Sequence, residues 1–375
     1  MTPPINKFFS NDAWVEGAAI DQLDTLVKSY PDVSAIAAMP DLGPGKYGPV
    51  GTAMLSADVH PAVIGSDIGC GMGLYQTELL HRKLRLDRVA ERLKVLDEPW
   101  DGETAERVEA RSLPKSIYDI GLGSIGGGNH FCEFQAIHEI HDTEAAATLG
   151  LDSDRVFILV HTGSRALGFS VFDPIIRTGT LTLPAGSDDA AAYLQGHDHA
   201  LAWAKLNREI IVERACEAAR GDCVPIADLS HNFLEETPAG ILHRKGAAPS
   251  NRGVIPIPGS RETLSYLVAP VEGAPAGALS SVAHGAGRKY DRSSMHGRIE
   301  KVKSVREKMT RNPYGGLVVC EDRDLMIEEA GAAYKNIDAV VADLVTFGLV
   351  TIVATFRPMI TFKTGQSSIG GRDRK

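Results

Sequence analysis

VFILVHTGSR, residues 156–165, runs from five apolar residues straight into a histidine and a Thr-Gly-Ser turn. Val156–Val160 is rich in β-branched and aromatic side chains, which suits a buried strand, and the glycine and serine beyond stop it. The stretch therefore reads as a strand that delivers His161 into a turn. VTIVATF (350–356) reads as another strand. Helical spacing is found in 14–29 (Ile20, Leu23, Leu26, Val27) and in 83–96 (Leu86, Val89, Leu93, Leu96). Ala200–Arg220 has neither glycine nor proline and is followed by Gly221, which predicts a long helix with a natural stop. Helices and strands mix without a steady βαβ rhythm, so the expected fold class is α+β, one domain over residues 1–365, rather than a doubly wound sheet. Residues 180–192 read as a surface loop, and QSSIGGRDRK (366–375) as a mobile basic tail.

The 375-residue chain carries a net charge of −9, which argues against a general cationic coat for nucleic acid but leaves room for a local basic groove or for bound divalent cations. Its five cysteines are odd in number, widely spaced and without a CxxC, so a disulfide framework is not expected. No apolar run reaches the roughly 18–20 residues of a membrane helix. The start, MTPPINKFFSND, lacks the features of a signal peptide, and the expectation is a cytoplasmic protein without membrane association.

His161 has companions in similar surroundings. GSDIGCGMG (65–73) offers Asp67 and Cys70; SIGGGNHFCEF (124–134) offers Asn129, His130 and Glu133; DLSHNFLEE (228–236) offers His231; SVAHGAGRKYDR (281–292) offers His284 and Arg288. Imidazole, thiolate and carboxylate together suit zinc, manganese, iron or cobalt, and a thiolate has lone pairs enough to bridge two ions. Taken singly each residue has a plainer explanation: a satisfied polar histidine, a small buried hydrophobe at Cys70, a turn cap at Asp67. Together they make a candidate metal centre. His197 and His199 stand where the long helix starts and read as solvated; His60, His243 and His296 lack a supporting set.

Phosphate-binding character is found in HRKGA (243–247), in IPIPGSRETLSY (255–266) and in HGAGR (284–288), although no GxxxxGK[ST] is present. Lys363 follows an apolar stretch and reads, by itself, as a surface lysine. The cation-rich segment 298–311 is open to two readings, a solvated helix face or a track for an RNA backbone.

In order along the chain, DIGCGM, GGGNHFCE, HTGSR, SHN, HRKGA, PGS, HGAGR and EEAGAAYK resemble the RtcB family of RNA-splicing and RNA-repair ligases, from MPDLGPGK (39–46) to FRPMITFKTG (356–365). The short length is similar to the compact branch of that family associated with a release-factor-like protein. The resemblance implies a single domain with mixed sheets around a central metal and nucleotide pocket. It implies an enzyme that joins RNA 3′-phosphate or 2′,3′-cyclic phosphate ends to 5′-hydroxyl ends in RNA repair or tRNA splicing, using GTP and two Mn²⁺ ions. By the same resemblance Asp67, Cys70, His130, His161 and His231 are metal ligands, with Cys70 shared. His284 carries GMP covalently; Asn129, Glu133, Ser260, Gly285, Ala286, Gly287, Arg288, Tyr334 and Lys363 contact the nucleotide. The implied partners are RNA, a release-factor-like protein or ribosomal RNA.

The chain departs from the family pattern at Gly43, at Thr162, at Arg261 and Glu262 after PGS, and at Gly331. These departures place RNA-end recognition in more doubt than transfer of GMP. Two rivals remain at this level: a metal-dependent phosphoesterase on the same scaffold, and a non-catalytic RNA-binding partner of a release factor.

Overall fold

The computed structural model describes residues 3–98, 100–300 and 302–363, so the tail expected over 366–375 lies outside the described residues. Two sheets form the frame, and the α+β expectation holds. The larger runs Ile255–Ile257, Ser265–Pro270, Val350–Phe362, Phe131–Ile140, Arg155–Thr162, Gly71–Leu80, Cys223–Ser230, each antiparallel to its neighbour. Leu317–Val319 joins it in parallel beside Ile360–Phe362. The smaller runs Ile5–Lys7, Val33–Gly43, Val50–Ser56, Gly240–Lys245, Asn232–Thr237, with the first pair parallel.

The strand read from VFILVH spans Arg155–Thr162 and is buried along nearly its whole length, because strands flank it and helices cover it. The helix Asp188–Ala219 supplies much of that cover: Ile211, Val212 and Ala215 pack with Phe134, Val156, Ile158 and Val160. It starts well before Ala200. Ser187 caps it by accepting from the Ala190 N–H, and Asp188 and Asp189 favour its first turn, so the loop expected over 180–192 is shorter. His197 is consequently not solvated. It is fully buried inside the helix, and its Nε2 accepts the Leu234 N–H at 2.9 Å. The helix expected over 83–96 is divided, α over Leu86–Arg92 and 3₁₀ over Leu93–Asp97, while Leu93 and Leu96 still enter the core.

Strand register does the positioning. Gly71 pairs with Thr162 on one side and Ser230 on the other, and Phe131 pairs with His161. Cys70, His130, His161 and His231 therefore gather at one end of four neighbouring strands. The helix locks them there through Arg208, which donates to Asp228 Oδ1 (2.6 and 2.9 Å), Gly69 O (2.8 Å) and Thr162 O (3.1 Å). Both partners of the ion pair are almost wholly buried. Arg208→Ala is expected to cost about 3–5 kcal/mol, because it strands the Asp228 charge. Arg208→Met combined with Asp228→Leu should recover most of that. Urea denaturation of the three proteins checks it; an equal loss in single and double variants would show that the charge pair is not the cause.

Candidate active site

Two groups of donor atoms share one sulfur. Cys70 Sγ, His161 Nε2 and His231 Nε2 lie within 4.8 Å of one another, as do Cys70 Sγ, His130 Nε2 and an Asp67 carboxylate oxygen. Cys70 Sγ is 3.1 Å from His161 Nε2 and 3.4 Å from His130 Nε2; His161 and His231 bring their Nε2 atoms to 3.3 Å; His130 Nε2 is 3.0 Å from Asp67 Oδ2. His161 Nδ1 donates to Asn129 O at 3.2 Å, which fixes its tautomer and turns the Nε2 lone pair toward Cys70 and His231. Burial, with His130 and His284 nearby, holds His161 well below the usual imidazole range, and burial with His284 and His161 does the same to His231. Both rings are thus neutral. Burial alone would raise the Asp67 carboxyl, but the charge and hydrogen bond of His130 outweigh it and keep Asp67 ionised. Burial and Asp67 push the Cys70 thiol up, opposed by Lys245 and Arg208.

Five nitrogen, sulfur and oxygen donors converge in this small space, and the buried His130 Nδ1 has no hydrogen-bond partner. The donor set fits a divalent transition metal. Gly163 belongs to this fit, since a Cβ there would stand 2.1 Å from Asp67 Oδ1.

His284 is held from the other sheet. Its Nδ1 is 2.6 Å from Asp41 Oδ2, which also accepts the His284 backbone N–H at 3.2 Å. A carboxylate only accepts, so the ring proton sits on Nδ1 and the Nε2 lone pair is free. Asp41 is buried, and Lys335 Nζ fastens its backbone by donating to Pro40 O (3.1 Å) and Leu42 O (2.6 Å). Gly287 has φ +71°, and a Cβ there would lie 2.4 Å from Asp41 O, so the loop can rest on Asp41 only with glycine in this place.

A cavity of about 630 Å³ opens above these groups. Asp67, Cys70, His161, His231 and His284 line it, as do Asn129, Glu133, Ser260, Gly285, Ala286, Gly287, Arg288, Tyr334 and Lys363; His130 stands buried behind Asp67 and Cys70. Every residue singled out for the site is thus brought together. Lys363 is no surface lysine: its buried Nζ donates to His130 O at 2.9 Å and lies 3.9 Å from Glu329. Of HRKGA, Lys245 reaches the cavity, whereas His243 and Arg244 are buried against His60 and Glu235. His60 and His243 do form a set, with each other and Asp32.

Three residues escaped the sequence reading. Asp41 is one. Glu329 is another, accepting from Arg288, Arg292 and Tyr334, and Arg292 is the third. Each lies inside a stretch already quoted, but Asp41 serves His284 across 243 residues, and Glu329 meets Arg288 and Arg292 across 41 and 37, with Tyr334 its one near partner among these.

Residues 22–111 and 97–364 match the family described as tRNA-splicing ligase RtcB. An RNA-splicing ligase RtcB2 of Escherichia coli is 41% identical over 367 residues, covering 96% of each chain. A tRNA-splicing ligase RtcB of Nanoarchaeum equitans is 28% identical across 96% of this chain and 93% of its own. One from Pyrococcus furiosus is 31% identical across 68% of this chain, which spans 30% of that relative's length.

Burial pushes the Glu133 carboxyl up to about 7, against the pull of Thr361, Gln135 and Lys363. The unfolded chain releases the same proton near about 4.3. Between these values the folded protein binds more protons than the unfolded one, so ionising Glu133 removes stability as pH rises, by at most about 1.4 kcal/mol per unit. The stability of Glu133→Gln relative to wild type is expected to climb from about pH 4.5 to about pH 7 and then level off. Denaturant melts across that range check this, and a constant difference would rule out Glu133 as the source.

Proposed function

The chain belongs to the RtcB family of RNA-splicing ligases, and on that premise we propose that it joins an RNA 3′-phosphate or 2′,3′-cyclic phosphate end to a 5′-hydroxyl end, using GTP and Mn²⁺, with GMP carried on His284. The observation that supports this most is the placement of His284, held on Asp41, beside two donor triads that share Cys70 in one cavity. Among the described residues no helix is long and apolar enough to cross a membrane.

Asp67, Cys70, His130, His161 and His231 would hold the metal, which supplies positive charge against phosphate oxygens. Asp41 keeps the ring proton on Nδ1 and leaves Nε2 as the nucleophile. Attack by Nε2 on the α-phosphorus forms a P–N bond and releases pyrophosphate, and Asp41 offsets the positive charge that grows on the ring. Lys245, Arg288 and Arg292 line the cavity where phosphate oxygens need donors. Glu133, Ser260 and Tyr334 line the wall assigned to the nucleoside. An RNA 3′-phosphate oxygen then attacks the same phosphorus, the P–N bond breaks and His284 is restored. A 5′-hydroxyl oxygen attacks the activated 3′-phosphorus, loses its proton, and GMP leaves.

Incubation with α-labelled GTP and Mn²⁺ is expected to place an acid-labile label on wild-type protein and none on His284→Ala. Asp41→Asn, which keeps the shape but not the charge, should slow labelling about 10²-fold or more. A wild-type protein that takes no label but releases inorganic phosphate from RNA 3′ ends would be a phosphoesterase instead.

Cys70→Ala is expected to lose bound metal and labelling together, because one sulfur serves both donor groups. Elemental analysis reads the first; full occupancy in the variant would deny Cys70 its shared role.

A further inference from the structure

The rim of the cavity carries side chains for which the chemistry at His284 has no use. Trp14, in the loop ahead of the helix Gly17–Ser29, is 40% exposed, while Trp203 is buried. Trp14 meets Tyr290 edge to face, with ring centroids 6.1 Å apart and planes at 71°. Tyr290 itself lines the cavity. Two cations stand over these rings. Lys289 Nζ is 5.9 Å from the Trp14 centroid and 5.4 Å from that of Tyr290, and the Arg298 guanidinium is 3.7 Å from the Tyr290 centroid. The acidic side chains that share this part of the rim are Glu16 and Asp291.

The group is firmly anchored. The Lys289 and Tyr290 N–H groups both donate to Ala333 O (2.8 and 3.3 Å), and Arg288 Nε donates to Tyr290 O at 3.0 Å. It therefore follows the loop that bears His284 with no flexible segment between. Trp14 offers the exposed ring, and Tyr290, partly buried against Met295 and beneath Arg298, backs it edge-on; an exposed aromatic ring flanked by cations is an element from which single-stranded nucleic acids are bound, bases stacking on the ring and phosphates lying on the cations. In a chain whose net charge is −9, Lys289 and Arg298 place two cations against the rings at the cavity mouth, where phosphates would need them.

We propose that Trp14, Lys289, Tyr290 and Arg298 form a stacking platform for the single-stranded end of an RNA substrate. The inference rests on the ligase reading for which RNA end is led to His284, but the binding itself stands on the platform alone. GTP also brings a base, yet Trp14 lies outside the cavity lining, where a strand passes and a mononucleotide held by His284 does not.

The test is a titration of the full chain with a 3′-phosphorylated single-stranded RNA of about ten nucleotides, followed by tryptophan fluorescence and by anisotropy of a labelled strand. RNA is expected to quench wild-type emission, and Trp14→Phe should lose the quench while still binding. Trp14→Ala and Tyr290→Ala should each bind about tenfold more weakly. Lys289→Ala and Arg298→Ala should each flatten the plot of log affinity against log salt by ~0.7. Equal affinity in wild type and both aromatic variants would overturn the platform, and so would a quench produced in full by GTP alone. Labelling from GTP is read in the same samples. Its absence from wild type overturns the ligase reading, while the RNA titration decides the platform independently.

Discussion

The Arg208 guanidinium is 1% exposed, and a charge in such a place is tolerable only with partners on every side. Its partners are an aspartate and two carbonyls, and their positions explain the site. Gly69 O adjoins Cys70, Thr162 O adjoins His161, and Asp228 lies on the strand that ends just before His231. One side chain from the long helix thus fixes the backbone beside three of the proposed ligands. The same charge acts electrostatically: with Lys245 it favours the Cys70 thiolate against burial and Asp67, which oppose it. Position and acidity at Cys70 share a cause, so weakening the clasp disturbs both.

His284 depends on a different support. Asp41 stands near the end of the strand Val33–Gly43 in the smaller sheet, with Lys335 bonded to the carbonyls on either side of it. The proposed nucleophile follows the strand Ser281–Ala283, which pairs with Ala247–Pro249 in a small two-stranded sheet, and rests on Asp41; it meets the proposed metal donors of the larger sheet where the His231 and His284 rings approach to 4.5 Å between centroids. Lys363 adds a second tie, from the His130 carbonyl toward Glu329. Preorganisation here does not come from one rigid element; two frameworks are locked together by buried polar contacts at their junction.

The strands over 156–160 and 350–356 were legible in the sequence because β-branched runs mark them, and at His161 a histidine and a Thr-Gly-Ser turn end the apolar run abruptly. What was hidden is pairing across long sequence separations. Asp41 and His284 are 243 residues apart, and nothing local to MPDLG shows that its carboxylate serves an imidazole. His60 and His243 looked unsupported because their partners are far along the chain: the His60 N–H meets His243 Nε2 across 183 residues, and the His60 ring meets Asp32 across 28 and Thr182 across 122. His197 read as a solvated residue at the start of a long helix, and nothing in the sequence around Arg208 marks it as buried. This helix packs against strands on several sides, so its buried polar residues do not follow the usual one-faced pattern.

The departures from the family pattern at Arg261, Glu262 and Gly331 turn out to be one local arrangement. Glu262 Oε1 accepts the Gly331 N–H at 3.0 Å, and its other oxygen lies 2.6 Å from where a Cβ at Gly331 would stand, so a larger residue there would require the Glu262 side chain to move. Arg261, buried, donates to Met326 O at 3.0 Å and holds the same turn from its other side. The Gly331 carbonyl accepts the Tyr334 N–H, and the Tyr334 hydroxyl donates to Glu329. The changed residues therefore lead into the wall proposed for the nucleoside. Gly43 differs in kind: a Cβ there would come no closer than 3.9 Å to the Arg288 carbonyl, an ordinary contact. From these residues the contacts run first to Tyr334 and Glu329, and from Glu329 by way of Lys363 to the His130 carbonyl.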